Sequence, residues 1–153
     1  MKENDEWYTP AEIIRSLGDF DLDPATSVEA YRLNQSAKHI YTLEEDGLKQ
    51  PWNGRVWLNP PYSNPLAKRF LEKMAEHNNG IALVFSKIEA KWFHDVVLGN
   101  ATAVKFLYER TRFFRPDGTK GMQPRNGSML VAYGIENAVI LMNNSLKGKF
   151  VFL

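Results

Sequence analysis

Asn59-Pro60-Pro61-Tyr62 stands directly after the apolar run Val56-Trp57-Leu58. Proline fixes its own φ and drives the residue before it into extended geometry. Asn59 is therefore expected at the rigid end of a buried strand, with its carboxamide aimed out of the sheet. Pro60 and Pro61 carry no N–H, so nearby carbonyls lack their closest donors and can accept from a ligand. Tyr62 adds a flat ring at the lip. A carboxamide acceptor, a carbonyl and an aromatic face suit a planar molecule bearing an exocyclic amine. A proline turn closing a strand is the plainer reading of the same four residues, but it leaves the polar residue before and the aromatic after unexplained.

A second polar-proline corner occurs at Asp23-Pro24-Ala25, after the alternating stretch Asp19-Phe20-Asp21-Leu22-Asp23. The elements that must carry the two corners read as alternating strands and helices. Thr9-Pro10-Ala11-Glu12 has the form of a capping box with proline at the first helical position. Ile13, Ile14 and Leu17 continue that helix, and Gly18 ends it. Residues 19–23 predict a strand, 27–33 a short helix, and 39–42 and 55–58 two further strands. Asn64-Pro65 opens a helix whose Leu66, Phe70, Leu71 and Met74 recur at helical spacing. Residues 81–85 read as a buried strand, 88–98 as a helix and 103–108 as a strand. After an irregular stretch, 129–133, 138–142 and 149–153 read as strands. The expected fold class is α/β with a mostly parallel sheet and a β-rich C-terminal end. Ligands of such sheets bind outside the carboxyl ends of the strands, so both corners should line one cleft.

Composition narrows the chemistry. At 153 residues the chain is expected to form one domain with a real core. It has no cysteine, which excludes a disulfide, a thiolate nucleophile and a cysteine zinc site and fits a reducing compartment. His39, His77 and His94 show no metal-ligand spacing, so no metal is expected. No Walker-type glycine-lysine loop is present, against a nucleotide hydrolase. The polar, acidic start does not resemble a signal peptide, and no apolar run approaches a membrane span.

Charge is polarised along the chain. Residues 1–46 hold 11 acidic against 4 basic side chains, and residues 47–153 hold 7 against 15. Within 105–125, Lys105, Arg110, Arg112, Arg115, Lys120 and Arg125 interleave with Phe106, Tyr108, Phe113 and Phe114. Basic residues supply phosphate contacts and aromatics stack on unpaired bases. Arg110, Arg112, Phe113, Phe114, Arg115 and Arg125 are thus the candidate nucleic-acid contacts, against the alternative of a solvated loop; the segment does not separate DNA from RNA. Phe106 reads as core.

Trp7-Tyr8-Thr9-Pro10, Leu22-Asp23-Pro24-Ala25, Asp46-Gly47-Leu48 and Trp57-Leu58-Asn59-Pro60-Pro61-Tyr62, in that order and spacing, resemble the phage-type DNA N-6-adenine methyltransferase family. The likeness runs from about residue 6 to 65 and continues more weakly through Trp92-Phe93, Phe106-Leu107, Arg110 and Phe113 to Ser128. The tetrad alone is shared with protein-glutamine and ribosomal-RNA methyltransferases; the four-part constellation is more specific.

The resemblance implies S-adenosylmethionine as cofactor and double-stranded DNA with a flipped adenine as partner. It implies a Rossmann-like sheet and the cytoplasm of a bacterial host. Asn59 and the Pro60 carbonyl would accept both hydrogens of the adenine 6-amino group, with Pro61 stiffening the turn and Tyr62 stacking on the base. Tyr8, Thr9 and Pro10 would bind cofactor, with a helix N-terminus receiving its carboxylate. Asp23, Pro24 and Ala25 would stand where a glycine-rich loop is usual. Asp46 is the candidate contact to cofactor ribose or adenine, with Glu44 or Glu45 as alternatives and a plain turn as the simplest reading of Asp46-Gly47. Only 36 positions separate Asp23 from Asn59, where two crossover units need roughly 60. The cofactor half is expected to be abbreviated, with no separate target-recognition domain. Methylation of RNA or of a protein glutamine, and an inactive DNA-binding relative, are the alternative functions.

Overall fold

A computed structural model describes residues 8–63, 65–108, 111–115, 117–119 and 127–153. Among these residues, seven strands form one sheet. They are β1 (Leu22–Asp23), β2 (His39–Ile40), β3 (Val56–Leu58), β4 (Gly80–Phe85), β5 (Ala103–Leu107), β6 (Ser128–Tyr133) and β7 (Gly148–Phe152). Their spatial order is β2-β1-β3-β4-β6-β5-β7. The first four are parallel, while β6 runs antiparallel to both β4 and β5, and β7 antiparallel to β5. The expected α/β class and β-rich C-terminal end are both present, but the sheet is mixed, with three parallel and three antiparallel pairings among the described strands, and not mostly parallel as expected.

The connections explain the short spacing between the two corners. Helix α2 (Val28–Asn34) links β1 to β2, but residues 41–55 return from β2 to β3 without a helix. Helix α3 (Leu66–His77) links β3 to β4 as its apolar spacing predicts, burying Ala67, Phe70, Leu71 and Met74. Asn78 closes it in a left-handed conformation, φ 53°.

Alternation splits the strand residues between two cores. Val56, Leu58, Ala82, Val84, Val104, Met129 and Val131 face α3 and a wide-turn helix over Phe93–Leu98. Trp57, Ile81, Leu83, Ala103, Leu130 and Ala132 face the opposite layer with Ile13, Ile14 and Leu17. That layer contains α1 (Ala11–Arg15) and α4 (Ile135–Asn143). Strands buried on both faces read as continuous apolar runs, which is why β3, β4 and β6 were visible in the sequence.

Three local expectations change. Residues 138–142 are not a strand but lie within α4, which buries Ala138 and Leu141 three apart while Ile140 and Met142 stay exposed. Strand β1 shrinks to two residues because the N–H groups of Asp21 and Leu22 both donate to the Arg55 carbonyl. The Asp21 carboxylate takes the Arg55 N–H at 2.8 Å, so the regular ladder cannot start earlier. The capping box at Thr9 does not form: α1 has no side-chain cap, and the Thr9 hydroxyl is used elsewhere. No helix among the described residues is long and apolar enough to cross a membrane.

Candidate active site at the carboxyl edge of the sheet

Strands β1 and β3 are parallel neighbours, so the Asp23 and Asn59 corners leave the sheet side by side at the same edge. The strand order also reverses there: β2 lies on one side of β1, and β3 and β4 follow on the other. Such a switch point opens a crevice between diverging connections.

Asn59 is half-buried, whereas Pro60 and Pro61 are buried. The Asn59 Nδ2 donates to Thr9 Oγ1 at 3.1 Å. Thr9 is 1% exposed, and its own carbonyl accepts from Asn34 Nδ2 at 3.1 Å. The amide of Asn59 is thereby anchored through its nitrogen, which turns its Oδ1 the other way. Tyr8 is also buried, and Ser27 Oγ donates to its hydroxyl at 3.3 Å. Ser27 in turn caps α2 by accepting the Ala30 N–H at 3.1 Å. Tyr8, Thr9 and Pro10 therefore form an inner wall of the site, with Thr9 directed at Asn59 and away from any helix N–H.

Tyr62 is fixed rather than mobile. Its hydroxyl accepts the Phe85 N–H at 2.8 Å, and its ring stacks on Phe85 with centroids 4.5 Å apart. Burial pushes the phenol well above its ordinary pKa, so it stays protonated. One ring face is thus occupied by Phe85.

Asp23 is a buried carboxyl. Its Oδ1 accepts the Ala25 N–H at 3.2 Å and its Oδ2 accepts Ser36 Oγ–H at 2.5 Å. Desolvation outweighs these bonds and raises its pKa to about 6. Asp46 behaves differently. It adopts φ 58°, accepts the Leu48 N–H at 3.1 Å and pairs loosely with Lys49, which makes a turn. The adjacent Glu45 carboxylate accepts from both the N–H and the hydroxyl of Thr42, a local clasp. What brings this loop to the site is Gly47: a Cβ there would sit 1.9 Å from the Pro24 carbonyl oxygen.

Sequence reasoning missed Lys73. Its ammonium donates to the carbonyls of Gln50 at 2.6 Å, Leu48 at 2.8 Å and Gly47 at 3.4 Å, tying the loop to α3. Nothing in the spacing marks it, since it lies beside the apolar stripe of that helix. Ser27, Asn34 and Ser36 were missed as well, although Ser27 before a helical stretch is a readable N-cap signal.

The basic segment divides. Phe114 forms an antiparallel bridge with Tyr8, through bonds of 3.0 and 2.9 Å, which lays residues 111–115 against the inner wall. Arg112 and Arg115 are exposed and Phe114 is half-buried. Phe113, expected to touch DNA, is 2% exposed and packs edge-on against Phe85 at 6.0 Å, so it is core. Lys105 also leaves the basic surface: it is 4% exposed and its ammonium binds Asn144 Oδ1 at 2.5 Å. Phe106, expected in the core, is 38% exposed. Arg110 and Arg125 lie outside the described residues.

A model of the DNA N-6-adenine-methyltransferase (Dam) family matches residues 1–146. A DNA N-6-adenine-methyltransferase of Escherichia phage T1 is 33% identical over 158 residues, covering 97% of this chain and 62% of that protein. One of Haemophilus phage HP1 is 31% identical over 114 residues, covering 69% of this chain and 63% of that protein. The matched stretches thus span under two thirds of the length of these relatives. No solved structure matches the chain significantly. With residues 1–146 matched by the family model and a relative 33% identical over 97% of the chain, the chain belongs to the DNA N-6-adenine-methyltransferase (Dam) family.

Proposed function

We propose that this protein transfers a methyl group from S-adenosylmethionine to the 6-amino nitrogen of adenine in DNA. The observation that carries the reading is the Asn59 carboxamide, held by Thr9 at the end of β3 where the strand order reverses. The relatives from phages T1 and HP1 are named DNA N-6-adenine-methyltransferases.

The residues present fit the cofactor. After β1 there is no glycine-rich phosphate cradle; the Asp23 carboxyl takes the turn N–H itself. A buried carboxyl at a switch point suits a ligand offering hydroxyls or positive charge better than a pyrophosphate. Asp23, Pro24 and Ala25 would line that pocket together with the Gly47 loop packed on Pro24. The sheet is then a methyltransferase sheet whose cofactor half is shortened to one helix. S-adenosylmethionine, when bound, supplies an electrophilic methyl group.

The chain's part is positioning and electrostatics. Asn59 Oδ1 and the Pro60 carbonyl accept the two hydrogens of the adenine amine, localising the lone pair on N6. Thr9 keeps the Asn59 amide from turning over. The N6 proton departs after methyl transfer, so no strong base is required. Tyr62, braced by Phe85, offers its second face to a base that has left the duplex stack. Arg112 and Arg115 flank the site as phosphate contacts.

The test uses labelled cofactor with unmethylated DNA, RNA and protein. Label is expected in DNA as N6-methyladenine, and Asn59→Ala should reduce its appearance by about 100- to 1000-fold. Label in RNA or protein but not in DNA overturns the reading.

A further inference from the structure

Phe106, Tyr108, Lys147, Gly148 and Lys149 line an open groove of about 560 Å³. The groove has a regular construction. Strand register places Phe106 opposite Lys149 and Leu107 opposite Gly148. The next pair is Tyr108 and Lys147, whose N–H and carbonyl bond at 2.9 Å. Residues two apart share a face, so both aromatics and both lysines stand on the same side of β5 and β7. Gly148 lies between them, where a Cβ would come within 2.2 Å of the Phe106 carbonyl oxygen, so the two strands can close up. Tyr108 is 75% exposed and Phe106 38%, and among the described residues no carboxylate lines the groove.

Its position relative to the tetrad follows from the sheet. β5 is antiparallel to β6, which is antiparallel to β4, so β5 ends at the same edge as β3. Between β3 and the β5–β7 pair lie β4 and β6. At a strand spacing of about 4.8 Å, the groove is about 14–19 Å from the end of β3 along that edge. Residues 111–115 lie along this edge: Phe113 packs on Phe85 at the end of β4, and Phe114 pairs with Tyr8 beside Thr9. Arg112 and Arg115 are exposed on this stretch, which packs on the Trp57 and Leu83 face of the sheet, whereas the groove opens on the Val104 face.

We infer that the Phe106–Tyr108–Lys147–Lys149 groove is a second DNA contact, which holds the backbone of the duplex flanking the target adenine. This rests on the reading of DNA as substrate and adds where the duplex runs. The lysines meet phosphates and the aromatic faces lie against sugars. At 3.4 Å per base pair, the separation corresponds to about four to six base pairs from the extruded base. A protein partner would also accept exposed aromatics, but the paired Lys147 and Lys149 favour a polyanion.

The test is duplex binding by the full chain over a salt series, read by fluorescence anisotropy, for the wild type and for Lys147→Gln/Lys149→Gln. Each lost phosphate contact flattens the slope of log affinity against log salt by about 0.9. The wild type should therefore lose about tenfold more affinity than the double variant between 50 and 200 mM salt. Tyr108→Ala should weaken binding without changing the slope. An unchanged melting profile shows that the variants are folded. Equal affinity and slope in the wild type and the double variant overturn the inference, as does self-association of the wild type that Tyr108→Ala abolishes while DNA affinity is unchanged. The binding assay needs no turnover: a protein that binds DNA through these lysines without methylating it refutes the activity and leaves the groove standing.

Discussion

Thr9 Oγ1 accepts a hydrogen bond of 3.1 Å from Asn59 Nδ2, joining residues 50 positions apart at the carboxyl edge of the sheet. The bond orients the amide that the proposed reaction depends on. Thr9→Val keeps the shape and removes the acceptor, so Asn59 should lose its orientation while the wall stays packed. A displacement of about 1 Å at a reacting centre costs on the order of 100-fold. kcat for DNA should fall by about that factor with cofactor affinity retained, and Thr9→Ser should restore the rate. A loss of cofactor affinity with kcat unchanged would assign Thr9 to cofactor binding instead.

Tyr62 has two separable duties. Tyr62→Phe keeps the ring but leaves the Phe85 N–H without its acceptor, now at 2.8 Å. An unsatisfied buried donor costs about 1–3 kcal/mol, so the variant should unfold earlier in denaturant yet still methylate. Tyr62→Ala removes the ring stacked on Phe85 as well, and should also weaken binding of the flipped base by about 1–3 kcal/mol. Full activity in Tyr62→Ala would remove the ring from the mechanism.

Asp23 sets a pH dependence. Its carboxyl titrates at about 6 in the folded protein against 3.8 ordinarily, because burial disfavours the anion. The folded state therefore holds this proton more tightly, and its stabilising effect is complete below about pH 4. It is lost as pH rises through about 6 and stays lost above. Two units correspond to about 3 kcal/mol. Asp23→Asn should flatten the stability profile over that interval in urea unfolding at pH 4.5 and 7.5. Parallel profiles for the two proteins would refute the assignment.

Gly47 fixes the loop that carries Asp46. Gly47→Ala would drive a methyl group into the Pro24 carbonyl, 1.9 Å from the ideal Cβ position. Since that neighbour is backbone, the loop itself must shift. A loss of about 1–3 kcal/mol is expected, together with weaker cofactor binding as the loop leaves the Asp23 corner. A wild-type melting temperature and cofactor affinity would show that the contact is not needed.

The features legible in the sequence are those set by short-range physics. Two prolines after Val56-Trp57-Leu58 impose a rigid strand end wherever the strand lies, and Asn59 does stand just past the end of β3. The helical recurrence of Phe70, Leu71 and Met74 marked α3 because one face of it is buried throughout. The apolar runs of β4 and β6 were visible because both their faces are covered. The stretch 138–142 misled for the opposite reason. Val139 and Ile140 are β-branched, but packing of Ala138 and Leu141 on the sheet decides for helix. Only the tertiary structure could assign Thr9 to Asn59 in place of a helix cap. The same holds for Phe113, which lies beneath Phe85, for Lys105, bound to Asn144, and for Lys73, ringed by loop carbonyls. In each case the partner is distant in sequence, and a hydroxyl, a ring or an ammonium reads the same on the page whether it meets water or another part of the chain. Which of them is buried is decided by the strand order, which brings β1 beside β3 and β5 beside β7.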